Sequence, residues 1–90
     1  MTDVRRGVDA TDRALVDLLV TRFAYMRAAA RIKPEKGHVR DEARKAQVIA
    51  NVHALAQERG LPAEAVAQLW ERLVETSIAY EGEHWDSLKG

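Results

Sequence analysis

Cysteine is absent from this chain of 90 residues, proline occurs twice, glycine five times, and aromatic residues make up only 6% of it. Without cysteine there is no disulfide, no thiolate metal site and no sulfur nucleophile. No run alternates apolar with polar residues, and the scattered Val and Ile fall at helical spacing among abundant Ala, so strand signals are missing as well. No apolar stretch approaches the ~18 residues needed to cross a bilayer. The segment Met1-Thr2-Asp3-Val4-Arg5-Arg6 lacks the apolar core of a signal peptide. A cytoplasmic location with no membrane partner is therefore expected. A charge excess is missing too, because 14 basic and 14 acidic residues cancel. Binders of nucleic acid ordinarily carry a basic surplus, so nucleic acid is not an expected partner.

What is present reads as one soluble, all-α domain over residues 1–90. Apolar content of 47% against 31% charged is ordinary for a folded chain. The spacing predicts a first helix from about Asp3 to Ile32, stopped by Pro34. At 1.5 Å per residue it is about 45 Å long. The rest of so short a chain cannot cover a helix of that length, so a second subunit is expected to supply the missing surface. A polar loop, Pro34–His38, follows. A second helix is expected from near Val39 or Arg40 to Gly60, burying Val48, Val52 and Leu55. Pro62 then opens a third helix that continues through Trp85 and buries Val66, Leu69, Trp70, Leu73, Val74, Ser77 and Ile78. The order is long helix, medium helix, long helix.

Several polar residues interrupt the apolar faces. Steps of three and four residues place Val4, Val8, Thr11, Leu15, Leu18, Arg22, Met26, Ala29 and Lys33 on one side of the first helix. Arg22 lies at the centre of that stripe and Lys33 at its end. Tracing the second helix backward from Val52 and Val48 leads to Asp41, Arg44 and Lys45, and Glu81 falls one turn after Ser77 on the third. Each has an ordinary explanation: a snorkelling arginine, a lysine at a helix end, a solvated first turn. Together they describe a cavity lined by Arg22, Lys33, Arg44 and Glu81. Buried cations without partners are costly, so such a cavity awaits an anion, and guanidinium forks suit small carboxylates. His38, His53 and His84 share no ligand spacing with a carboxylate, so no metal site is expected. No catalytic triad, phosphate loop or nucleotide fingerprint is present, and no cofactor is expected.

The ordered set Val4-Arg5, Val8, Asp12, Arg22 after Leu18-Leu19, Lys33, Val39-Arg40-Asp41-Glu42-Ala43-Arg44, and Ser77 with Glu81 resembles the all-helical AroQ-type chorismate mutases and the related isochorismate-pyruvate lyases. The resemblance spans nearly the whole chain. It implies an intertwined homodimer in which Arg5 of one subunit enters the site of the other. It implies further that Arg22 and the visiting Arg5 hold the two substrate carboxylates, and that Lys33 donates to the ether oxygen of the breaking bond. Arg44 would share the pocket, Asp41 would face the ring hydroxyl region, and Ser77 would form a polar wall. The reaction so implied, chorismate to prephenate, is a unimolecular rearrangement needing orientation and electrostatic stabilisation but no cofactor.

The sequence departs from the family pattern twice. Glu81 stands where many mutases have glutamine beside the ether oxygen, and an ionised carboxylate there opposes the developing charge, so activity is expected to rise toward mildly acidic pH. Lys45 stands where typical mutases place a glutamate that contacts the ring hydroxyl. Lys45 and the Ala28-Ala29-Ala30-Arg31-Ile32-Lys33 stretch leave open an isochorismate-pyruvate lyase, or a mutase of an amino analogue of chorismate. A non-catalytic helical dimer serving a larger partner enzyme is a further alternative.

Overall fold

The computed structural model describes residues 1–89, which form helix α1 (Thr2–Ile32), a short 3-10 turn (Lys36–His38), helix α2 (Glu42–Glu58) and helix α3 (Ala63–Lys89). No strand occurs among them, so the all-helical expectation holds. Helix α3 packs against α1 on one side and α2 on the other, whereas α1 and α2 do not pack together. The described chain measures 50 × 25 × 15 Å. Its smallest dimension barely exceeds the ~10–12 Å of one helix with its side chains, so the helices lie nearly in one layer.

Local chemistry sets the boundaries. Residue Lys33 leaves the helical region at φ −70°, ψ 126°, as the residue before a proline must when the proline ring crowds the α conformation. The second helix begins later than the sequence suggests, at Glu42. Asp41 is extended, and its Oδ1 accepts the Arg44 backbone N–H at 2.9 Å, making it the N-cap. The preceding residues go elsewhere: Val39 is buried, and Arg40 reaches across to Glu75 on α3. At the other end Gly60 adopts φ 72°. Its N–H bonds Gln57 O and that of Leu61 bonds Ala56 O, a complete Schellman stop that closes α2 at Glu58, two residues before the expected glycine.

The interior of one chain is small. Ala30, Val39, Ala56 and Val74 are its buried apolar residues, accompanied by Ser77 and Glu81. Phe23 of α1 meets Tyr80 of α3 edge to face at 4.8 Å, and Arg27 donates to the Tyr80 hydroxyl at 2.8 Å. Of the expected core positions only Val74 and Ser77 are buried; Val48, Val52, Val66, Trp70, Leu73 and Ile78 are half-buried, and two are exposed, Leu55 at 49% and Leu69 at 67%. Both point where a single layer offers nothing to pack against. The same holds for the N-terminal half of α1, where Val4, Val8, Leu15, Val16, Leu18 and Val20 all stand more than half exposed. No described helix is long and apolar enough to cross a membrane.

Candidate active site

Between the three helices and the 3-10 turn lies a cavity of about 350 Å³, within the range of small-molecule sites. Helix α1 presents Arg22, Met26, Ala29 and Lys33 to it, a 4-3-4 series that returns to one face at every turn. Helix α2 contributes Arg44, Lys45 and Val48, and α3 contributes Val74, Ser77, Ile78 and Glu81. The apolar floor and the charged walls therefore come from the same periodicities, with cations substituted at chosen turns.

The charges divide into two kinds. Lys33 Nζ donates to Glu81 Oε2 at 2.6 Å, with the Glu81 side chain only 5% exposed. Lys45 Nζ donates to Glu71 Oε1 at 2.6 Å and Glu75 Oε2 at 2.8 Å. Its pKa is raised, chiefly by those hydrogen bonds to Glu71 and then Glu75. Both lysines are thus matched by carboxylates. Arg22 and Arg44 are not. Arg22 Nη1 donates to Ser77 Oγ at 2.6 Å, and the Ser77 hydroxyl in turn donates to Leu73 O at 2.7 Å. Arg44 Nη1 donates to the amide oxygen of Gln47 at 2.6 Å. Neither arginine forms a salt bridge among the described residues. Burial, and after it the positive field of Arg44, pulls the Arg22 guanidinium below its ordinary pKa. Two like charges on one cavity repel until an anion enters between them.

Of the residues singled out in the sequence, Arg22, Lys33, Asp41, Arg44, Ser77 and Glu81 converge on this cavity. Asp41 lines it while its carboxylate serves the first turn of α2. Arg5 does not line it. It lies 17 residues before Arg22 on the same straight helix, about 25 Å along the axis, beyond the reach of any side chain. His38 also borders the cavity. No sequence pattern signals this, because a residue between the long helices has no periodicity to betray its direction. A second tether is equally hidden in the sequence. Glu75 accepts two bonds from Arg40, at 2.8 and 3.2 Å, as well as the Lys45 bond. The hydrogen bonds from Arg40 and then Lys45 hold its pKa down to about 2.

Fold and site together define an all-helical protein with a cation-lined cavity shared by three helices. Residues 4–82 match the family model of chorismate mutase type II, and the chain belongs to that family. It is also 28% identical, over all of its length and 89% of the other's, to an isochorismate pyruvate lyase of Pseudomonas aeruginosa. The chain is accordingly an enzyme of the chorismate mutase fold.

Proposed function

We propose that the chain is a chorismate mutase, converting chorismate to prephenate in the cavity between its helices. One observation carries the dianionic substrate that this reading requires: Arg22 and Arg44 line a common cavity and neither forms a salt bridge among the described residues. A small dianion satisfies both. Arg22, braced by Ser77, holds one substrate carboxylate, and Arg5 of a second copy of the chain reaches the other. Lys33 has N–H donors beyond the one given to Glu81 and turns one to the ether oxygen, where negative charge grows as the C–O bond breaks and the new C–C bond forms. Folding the enolpyruvyl arm over the ring is the orientational part of catalysis, and Lys33 supplies the electrostatic part. Arg44 adds positive potential from α2, and Asp41 lies at the wall nearest the ring substituents.

The homodimer belongs to the same proposal. The exposed apolar face of α1's first twenty residues, together with Leu55 and Leu69, supplies the surface that a second copy would cover. That arrangement would also bring Arg5 of one copy to the cavity of the other.

A second reading is the lyase, which releases pyruvate from isochorismate. It is favoured by the full-length similarity to the isochorismate pyruvate lyase and by Lys45 on the cavity wall, where its charge is spent on Glu71 and Glu75. Both substrates carry the same two carboxylates and ether, so the arginines do not choose between them. The deciding experiment incubates purified protein with chorismate and, in parallel, isochorismate, and quantifies prephenate and pyruvate. Prephenate from chorismate is the expected product. Faster pyruvate release from isochorismate replaces the mutase with the lyase. Neither product from folded protein leaves the cavity as a binding site only.

A further inference from the structure

Trp85 lies outside the cavity lining, yet it bonds to a cavity residue. Its indole Nε1–H donates to the backbone carbonyl of Lys33 at 3.1 Å. Lys33 is where α1 ends, and the terminal carbonyls of a helix have no partner within it. Pro34 follows and brings no N–H that could help organise the exit. The orientation of the Lys33 carbonyl therefore depends on what it bonds to, and holding its oxygen in place restrains φ and ψ of Lys33 together, φ being the angle that aims its side chain relative to α1. In this fold the carbonyl bonds to a rigid, half-buried ring, over which Lys89 Nζ sits 5.6 Å from the centroid.

The other end of Lys33 is held by the same helix. Glu81, which accepts from Lys33 Nζ at 2.6 Å, precedes Trp85 by four residues, so the two share one face of α3 on consecutive turns. Glu81 alone fixes where the ammonium lies but not how a long, freely rotating side chain approaches it. With the backbone fixed as well, the approach is set and the ammonium's remaining N–H groups take one direction into the cavity. We infer that Trp85 is a positioning residue for Lys33, acting through the Lys33 carbonyl so that α3 grips this cation at both ends. The kinetic consequence rests on the function proposed above; the geometric one does not.

The test removes the indole N–H and keeps the ring. Trp85→Phe is one variant, and a chain assembled by ligation with benzothienylalanine at position 85 is a second, which preserves ring volume should the phenylalanine variant fold poorly. Two quantities are measured in each: the Lys33–Glu81 coupling, from a stability cycle of Lys33→Ala and Glu81→Gln, and kcat and KM on chorismate. The expected result is a smaller coupling and a kcat lowered about tenfold, with KM changed by no more than about twofold. The loss should vanish when Lys33→Ala is already present, since there is then no ammonium to misplace. An unchanged coupling, an unchanged kcat in the benzothienylalanine chain, or an equal loss in the Lys33→Ala background shows a merely structural tryptophan and overturns the inference. If the unaltered protein turns over neither chorismate nor isochorismate, the proposed reaction falls, and the coupling alone decides the role of Trp85.

Discussion

At the scale of single residues, the site is a problem in charge matching. Four cations border the cavity, and two of them are neutralised by carboxylates of α3. The remaining pair defines what can bind. In the proposed reaction Lys33 is the cation that acts on a reacting atom, and removal of one preorganised donor typically costs ~3–4 kcal/mol, or about 10²–10³ in rate. Lys33→Ala is expected to lower kcat on chorismate by that factor, measured by loss of chorismate absorbance, while the helix content by circular dichroism stays unchanged. Glu81 acts in the opposite sense. In that proposal it would be an anion beside the ether oxygen and would repel the developing charge, while it also holds the Lys33 ammonium at 2.6 Å. Replacing the carboxylate with an uncharged amide removes the repulsion and leaves an oxygen that Lys33 can still bond, so Glu81→Gln should raise kcat on chorismate; an unchanged or lowered kcat sinks the idea.

At the scale of elements, the segment between α1 and α2 shapes one side of the cavity and is tied to α3 at several points. Lys36 bonds Asp86 at 2.6 Å near its start, and Arg40 grips Glu75 with both nitrogens near its end. The Glu75 carboxylate is the junction, since it also holds Lys45. Its pKa is depressed to about 2 from an ordinary 4.5, so the folded state keeps it ionised more strongly than the unfolded chain does. The stability from this junction is therefore complete above about pH 4.5 and is lost as pH falls toward 2. Lys45 and Arg40 have raised pKa values, and their share is lost only in strong alkali. Glu75→Gln should remove the acid-side part: between pH 5 and pH 2 its melting temperature should fall less steeply than that of the unaltered protein, as seen in parallel melts.

At the scale of the whole molecule, one chain is too thin to complete itself. A layer 15 Å deep leaves much of the apolar surface of α1 in water and leaves Arg5 about 25 Å from the cavity of its own chain. The proposed second copy would answer both, and the idea is open to a complementation test. Arg5→Ala and Lys33→Ala should each be nearly inactive alone. Unfolded together and refolded, they should recover about a quarter of the unaltered activity. Random pairing makes half the dimers mixed, and each mixed dimer has one intact site. No recovery on mixing would place Arg5 outside the partner's site.

The sequence by itself determined the helices and most of the cavity wall. Period 3.6 fixes which residues share a face, and a cation on an apolar face is visible as a break in that pattern, as at Arg22 and Lys33. Where the chain leaves the helix, that logic ends. His38 on the cavity wall, Arg40 on Glu75 and the indole of Trp85 on the Lys33 carbonyl all depend on how separate elements meet, and no local spacing encodes that. The sequence pattern suggests a start for α2 near Val39 or Arg40, whereas the helix begins at Glu42, because Asp41 is extended and its carboxylate accepts the Arg44 backbone N–H. The tertiary structure alone decided which cations are neutralised. Carboxylates 30 and 48 residues away in sequence take Lys45 and Lys33. Arg22 and Arg44 are left facing an open cavity, because Glu71, Glu75 and Glu81 of α3 pair with Lys45 and Lys33, and α3 presents Ser77 to Arg22.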